Sequence, residues 1–524
     1  MHTTHTSLLT PLNLVSPPAA RTSGSIAVVW DKPEVSGDVA CYRVYVNDVI
    51  HGICTAADYT VTGLAPAQEY KVHICAVTAA GEVSLPSNVI IVSTKPEGEL
   101  FDITVFGAVE GGEVLNTAAI QAAIDVCTAG GMVYVPAGVF LSGAIFLKSS
   151  MTLFIEKGGV LLGSAEPADY PLMTYRWEGR EQLCYASLVN TQECSGGGRL
   201  KDITIAGGGK IDANGAALFK AEMAEAKGFR GRAVCLRSTD DVYLKDITVR
   251  QSPAWCVHLI YCNQVTANNV SIYTKNDEHG RRYADVFNGD GLNPDSSSDI
   301  YIFNSMIASQ DDCIAIKSGR DEEGRRAGIP SENIRITNCR FKSGFGVAIG
   351  SEMSGGVRNV TVSDCTFEDV YSIGTVKAPR GRGAVIENIV YEDCTLRNYS
   401  LEHEDCQWFR GAINIDQFYS HKQYDLDRAE EVTDGTGIIR NITFRNIVLD
   451  THAGNAVFMA GLPEQPLQNI VLENVSAIGK YGLKAYNIEG LAMNNVSVLS
   501  RLDEPYQFYN RIPGSLSGFQ VSPQ

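Results

Sequence analysis

A short motif recurs along the second half of this chain: a few alternating apolar residues, then Asn or Asp, then another alternating pair. It reads VYLKDITV around Asp246, VTANNVSI around Asn269 and IYIFNSMI around Asn304, and it returns around Asn338, Asp364, Asp393, Asn446, Asn474 and Asn495. The spacing is mostly 21 to 35 residues, with one interval of 53. A period of this size means one supersecondary unit per repeat, and such a unit cannot bury its own apolar face. Each apolar run is about 4–5 residues long and ends at a turn-forming side chain. Stacking coil upon coil buries a continuous core and pairs the backbones of successive coils, so the spacing predicts a β-solenoid. Repeated Asn side chains can form hydrogen-bond ladders along such a stack. Cys339, Cys365 and Cys394 each follow the repeated Asn or Asp, which predicts an aligned column in one corner with no disulfide needed. A leucine-rich solenoid would show a leucine framework and a helix per repeat, and neither is visible. One amphipathic helix is predicted at residues 116–127 (NTAAIQAAIDVC), capped by Asn116 or Thr117. It precedes the repeats and is expected to cover the open end of the solenoid.

The first hundred residues follow a different pattern. Alternating runs SIAVVW, CYRVYV and YKVHICAV, starting at Ser25, Cys41 and Tyr70, are separated by turn-rich segments, as in a β-sandwich. Leu64-Ala65-Pro66 followed by Tyr70 resembles the tyrosine corner of fibronectin type III domains, and Trp30 stands where that family places its core tryptophan. The expected division is residues 1–97 as a fibronectin type III-like sandwich and 98–524 as the solenoid, joined by the linker STKPEGE at 93–99.

Composition removes several functions. The formal net charge is −17, whereas phosphate backbones need a basic surface, so no nucleic-acid partner is expected. No run of about 18 apolar residues predicts a membrane span. The N-terminus lacks a basic segment followed by an apolar core, which reads as a cytoplasmic protein unless a leader has been removed. The 14 Cys form no close C-x-x-C pair; they read as small buried hydrophobes in a reduced compartment. An acidic substrate would meet global repulsion, so a polyanion site must be a local basic cluster. The oligomeric state is left open.

Three carboxylates stand out as chemistry. Asp290 lies in FNGDG, and Asp311 and Asp312 are adjacent in SQDDC. Asp290 and Asp311 are 21 residues apart, about one coil. Stacked coils bring equivalent positions to about 4.8 Å. Like charges that close keep a proton on at least one group, as general acid work requires. The plainer reading is that Asp beside Gly marks turns and adjacent Asp residues solvate a loop.

From about Phe101 to residue 500 the chain resembles glycoside hydrolase family 28, the polygalacturonase family. The resemblance is carried by Phe106-Gly107-Ala108, Asn116-Thr117, GGMVYVPAG from Gly130, Leu147-Lys148-Ser149, Leu162-Gly163-Ser164, GGGKID from Gly207, and Ser252-Pro253-Ala254-Trp255 with His258. More specific are DGLNPDSS, QDDCIAIKSGRD and IGSEMSGGVRNV from Ile349, the last being more like exo-acting and bacterial members. The family's Asn-Thr-Asp motif stands here as Asn288-Gly289-Asp290, and its double aspartate is intact at Asp311 and Asp312. Its Gly-His-Gly motif reads Gly344-Phe345-Gly346, and its Arg-Ile-Lys motif reads Thr375-Val376-Lys377.

The resemblance implies a right-handed parallel β-helix and an inverting hydrolase. In it Asp311 protonates the glycosidic oxygen, while Asp290 and Asp312 activate water. A one-coil offset places the carboxylates closer than the roughly 6.5–9.5 Å of inverting enzymes, so the stereochemistry rests on the family. The substrate-binding candidates are Lys377, Phe345, Asn288, Arg380, Arg382 and His258, with Trp255 as a further cleft residue. No metal and no organic cofactor is expected. Thr375 cannot hold a uronate carboxylate as Arg would, and Phe345 can stack on a sugar but not hydrogen-bond as His would. Either the leaving-side sugar is rhamnose, or Arg380, Arg382, Arg320, Arg325, Arg326 or Arg358 replaces the lost charge. The leading expectation is an exo-acting galacturonidase on acidic pectic oligosaccharides. A hydrolase of galacturonate-rhamnose linkages, a non-catalytic β-helix binding protein and a calcium-dependent pectate lyase are the rivals. The non-periodic segments 275–288, 320–331 and 402–437 are expected to wall the cleft, and whether the sandwich closes one end of it is left open.

Overall fold

The computed structural model describes residues 9–33, 36–193, 197–284, 286–402, 404, 408–419 and 425–510. The N-terminal body is a sandwich of two antiparallel sheets. One holds Leu12–Val15, Ser25–Asp31 and Asp58–Thr62; the other holds Val39–Val46, Val49–Cys54, Glu69–Thr78 and Ile90–Ser93. Trp30 is fully buried between them, edge-on to Tyr42 at 5.2 Å. The Tyr70 hydroxyl accepts a hydrogen bond from the Ala65 amide at 2.8 Å, which pins the corner that its sequence context implied.

After Ser93 the architecture changes. Leu100–Asp102 already pairs in parallel with Gly131–Val135, and from there a right-handed parallel β-helix builds coil on coil. Each coil contributes a strand to three faces. In one coil these are Asn263–Asn268 (first face), Ser271–Tyr273 (second) and Leu292–Asp295 (third). The repeated Asn or Asp forms the corner between the first two faces. Asp246, Asn269, Asn304, Asn338, Asp364, Asp393, Asn446, Asn474 and Asn495 all take φ of 51–55°. Asn and Asp tolerate this left-handed conformation better than other L-residues, which is why they recur there. Their side chains bond along the stack: Asn446 donates to Asp393 at 2.8 Å, Asn474 to Asn446 at 3.0 Å and Asn495 to Asn474 at 2.9 Å.

A second ladder, not read from the sequence, runs at the start of the first face through Asn333, Asn359, Asn388, Asn441 and Asn469, with amide bonds of 3.0–3.2 Å. In the late coils the first two faces fuse into strands longer than expected, such as Val385–Asn398 and Ile438–Thr451. Cys339, Cys365 and Cys394 are buried and unpaired in the core behind the corner. Inward residues stack in register, with Val265 on Ile300, Ile300 on Ile334 and Ile334 on Val360.

The helix Thr117–Val126 buries Ile120, Ala123 and Ile124 against the first coils. Its capping differs from expectation. The Asn116 carboxamide oxygen accepts from the Val109 amide at 2.7 Å, and the Thr117 hydroxyl accepts from Gly143 at 2.7 Å, so neither side chain caps the helix. The sandwich lies along the first face of the solenoid. Ala20, Ala27 and Val29 pack on Tyr243 and Phe303. Arg335 pairs with Asp31 at 2.7 Å, and Asn338 donates to Asp58 at 2.8 Å. The third face carries the unforeseen insertions: a hairpin of Leu172–Trp177 and Arg180–Tyr185, and the helix Gly215–Glu225.

The corner conformation and its ladder are separable. Asn446→Ala should lower stability by about 2 kcal/mol, from the left-handed backbone and the lost amide bonds. Asn446→Gly should cost roughly half of that, because glycine accepts the backbone. Urea denaturation midpoints check the order; equal losses would remove the backbone contribution.

Candidate active site

The site lies on the third face. Leu292, Ile314, Val347 and Val376 belong to the core. The alternation of a strand therefore sends Asn293, Asp295, Lys317 and Lys377 outward. The residues just ahead of these strands complete the surface. Cys256 N donates to Asp290 O, Gly291 N to Asp312 O and Cys313 N to Gly346 O, each at 2.9 Å. These bonds set Trp255, Asp290, Asp312 and Phe345 in one column, so Asp290 lies beside Asp312 rather than Asp311. The glycines of Gly344-Phe345-Gly346 are fixed by the chain path, at φ of 87° and 74°; a Cβ on Gly344 would fall 2.3 Å from Asp311 O. The middle position carries no such constraint, so His or Phe can occupy it without moving the turn.

A cavity of about 430 Å³ opens over this column, within the usual range of small-ligand sites. Asp290, Asp311 and Asp312 line it with Lys317, Lys377, Glu352, Arg320, Arg382, Asn288, Gln310, Phe345, Trp255, Trp408, Tyr419 and Glu178. The Lys377 ammonium bonds both Asp312 oxygens, at 2.8 and 2.7 Å, and lies 5.5 Å from the Tyr419 ring centre. Lys317 bonds Glu352 at 2.9 Å, stands 3.8 Å from Asp290 and sits over the Trp255 ring. Burial opposes the Glu352 charge, but Lys317 prevails and holds its carboxyl down at about 2. Burial pushes Asp312 up to about 6, against the pull of Lys377 and with the help of Asp311. Burial, then the Asp311 charge, drives Asp290 well above the usual carboxylate range. Asp311 is half-buried and has no cation within ion-pairing distance among the described residues. Two lysines thus neutralise Glu352 and Asp312, while burial and the Asp311 charge oppose ionisation of Asp290.

The other candidates divide. Asn288 lines the cavity in a left-handed turn (φ 58°), its oxygen accepting from Arg230 at 2.6 Å. Arg382 lines it too: Nε donates to Ser351 O at 2.6 Å and Nη1 pairs with Asp321. Arg320 reaches Glu178 through Nη1 at 2.8 Å. In both arginines Nη2 has no partner among the described residues, so each retains donors for a ligand. Arg380 is a correction. It turns away to Glu464, at 2.7 and 2.9 Å, and does not line the cavity. His258 is a second correction. It is fully buried beneath Trp255, 3.2 Å from Asp295, and burial pulls its pKa down to about 4. Thr375 is buried and shares a 2.8 Å hydrogen bond with Ser372.

The sequence reading passed over Lys317, Glu352, Glu178, Trp408 and Tyr419. Lys317 and Glu352 stand inside motif stretches already singled out, and strand alternation from Ile316 would have turned Lys317 outward. Glu178 had no signal, because it sits at the tip of the unforeseen hairpin. That hairpin lies along the third face. Arg176 bonds Asp295 at 2.5 Å, Trp177 stacks on Trp255 at 5.0 Å, and Arg320 N donates to Gly179 O at 3.1 Å. It covers His258 and closes the cavity on the side of the earlier coils. Among the described residues no sandwich residue lines the cavity, which answers the question of whether the sandwich closes it. Among the described residues, no three His, Cys, Asp or Glu side chains are grouped to hold a metal ion.

The sequence profile described as "Glycosyl hydrolases family 28" matches residues 135–497. The chain belongs to that family. It is therefore a glycoside hydrolase, and a fibronectin type III profile matches residues 11–93. The chain is 29% identical over 467 residues to the exo-poly-alpha-D-galacturonosidase of Dickeya chrysanthemi, with 75% of each chain covered. It is 30% identical over 388 residues to a probable polygalacturonase of Vitis vinifera, covering 71% of this chain and 72% of that one. The family 28 exopolygalacturonase structure from Yersinia enterocolitica shares the fold, with a TM-score of 0.82 at 22% identity, covering 96% and 99% of the two chains.

The coupling of Asp312 to Lys377 makes a pH prediction for this family 28 enzyme. Activity that needs ionised Asp312 should fall as pH drops through about 6. Lys377 favours the ionised form, so Lys377→Met should raise the Asp312 pKa and move the acid limb of kcat/KM to higher pH. A limb that stays in place would remove Asp312 from the titration.

Proposed function

We propose that this glycoside hydrolase releases galacturonic acid from the ends of pectic oligosaccharides, with inversion at the cleaved carbon. The observation that carries the exo reading is the hairpin, whose tip sets Glu178 into the wall of the cavity. A chain end can enter such a cavity, but the middle of a polymer cannot pass through it. The acidic substrate is supported by Arg320 and Arg382, each with Nη2 directed to no carboxylate of its own. They take the part that Thr375 cannot.

In the reaction, Asp311 gives its proton to the glycosidic oxygen as the bond to the anomeric carbon breaks. Water adds to that carbon from the opposite side, and Asp290, with Asp312 beside it, takes the proton that water loses. Over one turnover Asp311 thus loses a proton to the leaving oxygen and Asp290 gains one from water, and exchange with solvent restores both before the next cycle. The departing sugar leaves as an alcohol, and no covalent intermediate forms. The inverting stereochemistry and the three aspartate roles rest on the family resemblance.

Asp311→Asn should reduce kcat by about 10²–10⁴-fold with the fold retained, because it removes the general acid and little packing. Near-normal turnover would sink the mechanism. Product profiles over time test the substrate. Stepwise appearance of galacturonic acid from oligogalacturonides is the expected result. Cleavage only of rhamnogalacturonan fragments would favour the second reading, which rests on Phe345, stacked on Tyr371 at 5.4 Å, as an apolar platform for rhamnose.

A further inference from the structure

A second, larger cavity of about 950 Å³ lies far around the solenoid from the aspartates, in the angle between the sandwich and the first face. Its shape follows from where the sandwich docks. Outward positions of the first face align in register from Met132 through Thr152, Thr204 and Tyr243 to Thr266. The sandwich sits on Tyr243 and reaches Thr266, but leaves the earlier coils uncovered. The result is a groove running along the coil axis, with Phe154 and Met132 on its floor and Arg21 on the sandwich wall.

Its charge is unusual for this protein. Lys95 is neutralised by Asp202 at 2.5 Å, and Lys245 by Asp246. Arg21, Lys157 and Lys201 also line the groove, and none has a carboxylate partner among the described residues. Three unneutralised cations against one unpaired carboxylate, Asp241, still leave the groove basic on a chain with a formal charge of −17. An extended groove with cations on its walls and an apolar floor matches an acidic sugar chain, which carries carboxylates at intervals and apolar ring faces between them.

We infer that this groove is a second binding site, for a segment of polyuronate chain, separate from the catalytic cavity and built jointly by the two domains. Its ligand class rests on the function proposed above; its geometry does not. It would hold the enzyme on longer chains, near the ends that the cavity processes, and it gives the docked sandwich a role in binding.

The test is affinity electrophoresis of the full chain in gels containing polygalacturonate, with Asp311→Asn as the background so that the polymer persists. Polygalacturonate should retard this protein, and polyglutamate should retard it far less. Adding Arg21→Ala, Lys157→Ala and Lys201→Ala should weaken the polygalacturonate affinity by at least about tenfold. The same three substitutions in the active enzyme should leave kcat/KM on a galacturonate trimer unchanged, which also shows that the variant folds. Unchanged retardation of the triple variant, absence of retardation, equal retardation by polyglutamate, or loss of trimer turnover would each overturn the inference. If the unsubstituted enzyme fails to hydrolyse the trimer while the three cations still govern retardation, the proposed function fails and the groove stands.

Discussion

Backbone hydrogen bonds between successive coils govern everything else in this molecule. A parallel coil cannot slip by one residue without turning its whole apolar set outward, so the register is held by the core. Once Leu292 pairs with Ile314, and Ile314 with Val347, the residues just ahead of the strands have no freedom left in where they stand. Asp290, Asp312 and Phe345 form a column for that reason. The same register brings Gly350 beside Lys377, and so sets Lys377 one coil further along, within reach of Asp312. The site is thus a by-product of stacking: rigid elements supply the precision that catalytic geometry needs.

The rigidity has an electrostatic cost that the site resolves locally. Carboxylates this deeply buried would each be expensive to ionise alone. Lys317 and Lys377 answer Glu352 and Asp312, and the remaining pair, Asp290 and Asp311, is left with one charge too many. In the mechanism proposed above, that imbalance would serve the division between a protonated acid and an ionised base. Replacing either lysine would disturb the balance, not merely a contact.

The coil corners were legible in the sequence because the left-handed conformation restricts them to Asn and Asp, and because the period repeats. The three aspartates and Lys377 were legible as motifs. The parts that escaped had no periodic signature. The second ladder begins irregularly, with Gln264 and Asp299 ahead of its asparagines, and it sits before the apolar run rather than within it. The hairpin at Leu172–Tyr185 interrupts the third face with a sequence that carries no repeat. His258 looked reachable because strand alternation does turn it outward; Trp255 and the hairpin packed on it bury it. Arg380 and Arg382 lie two residues apart in a loop, where no alternation predicts direction, and they face different partners. The one-coil offset was read as Asp290 over Asp311, whereas the strand register places it over Asp312, because Leu292 pairs with Ile314, a step of 22 residues and not the 21 that separates Asp290 from Asp311.

An acidic protein handling an acidic chain has to present cations that its own carboxylates have not consumed. In the cavity nearly every cation is already engaged: Lys317 with Glu352, Lys377 with Asp312, Arg382 with Asp321 and Arg320 with Glu178. The lysines, as point charges, are largely spent on these bonds. An arginine is not, because its guanidinium carries five donors in a planar fork, and one carboxylate rarely takes more than two. Arg320 and Arg382 can therefore stay fixed by their own partners and still offer Nη2 to a sugar carboxylate, with their orientation set before the ligand arrives. This explains how the motif position at Thr375 can do without its arginine. On the function proposed above, the recognition charge would lie on segments anchored by Asp321 and Glu178, held by ion pairs rather than by the sheet.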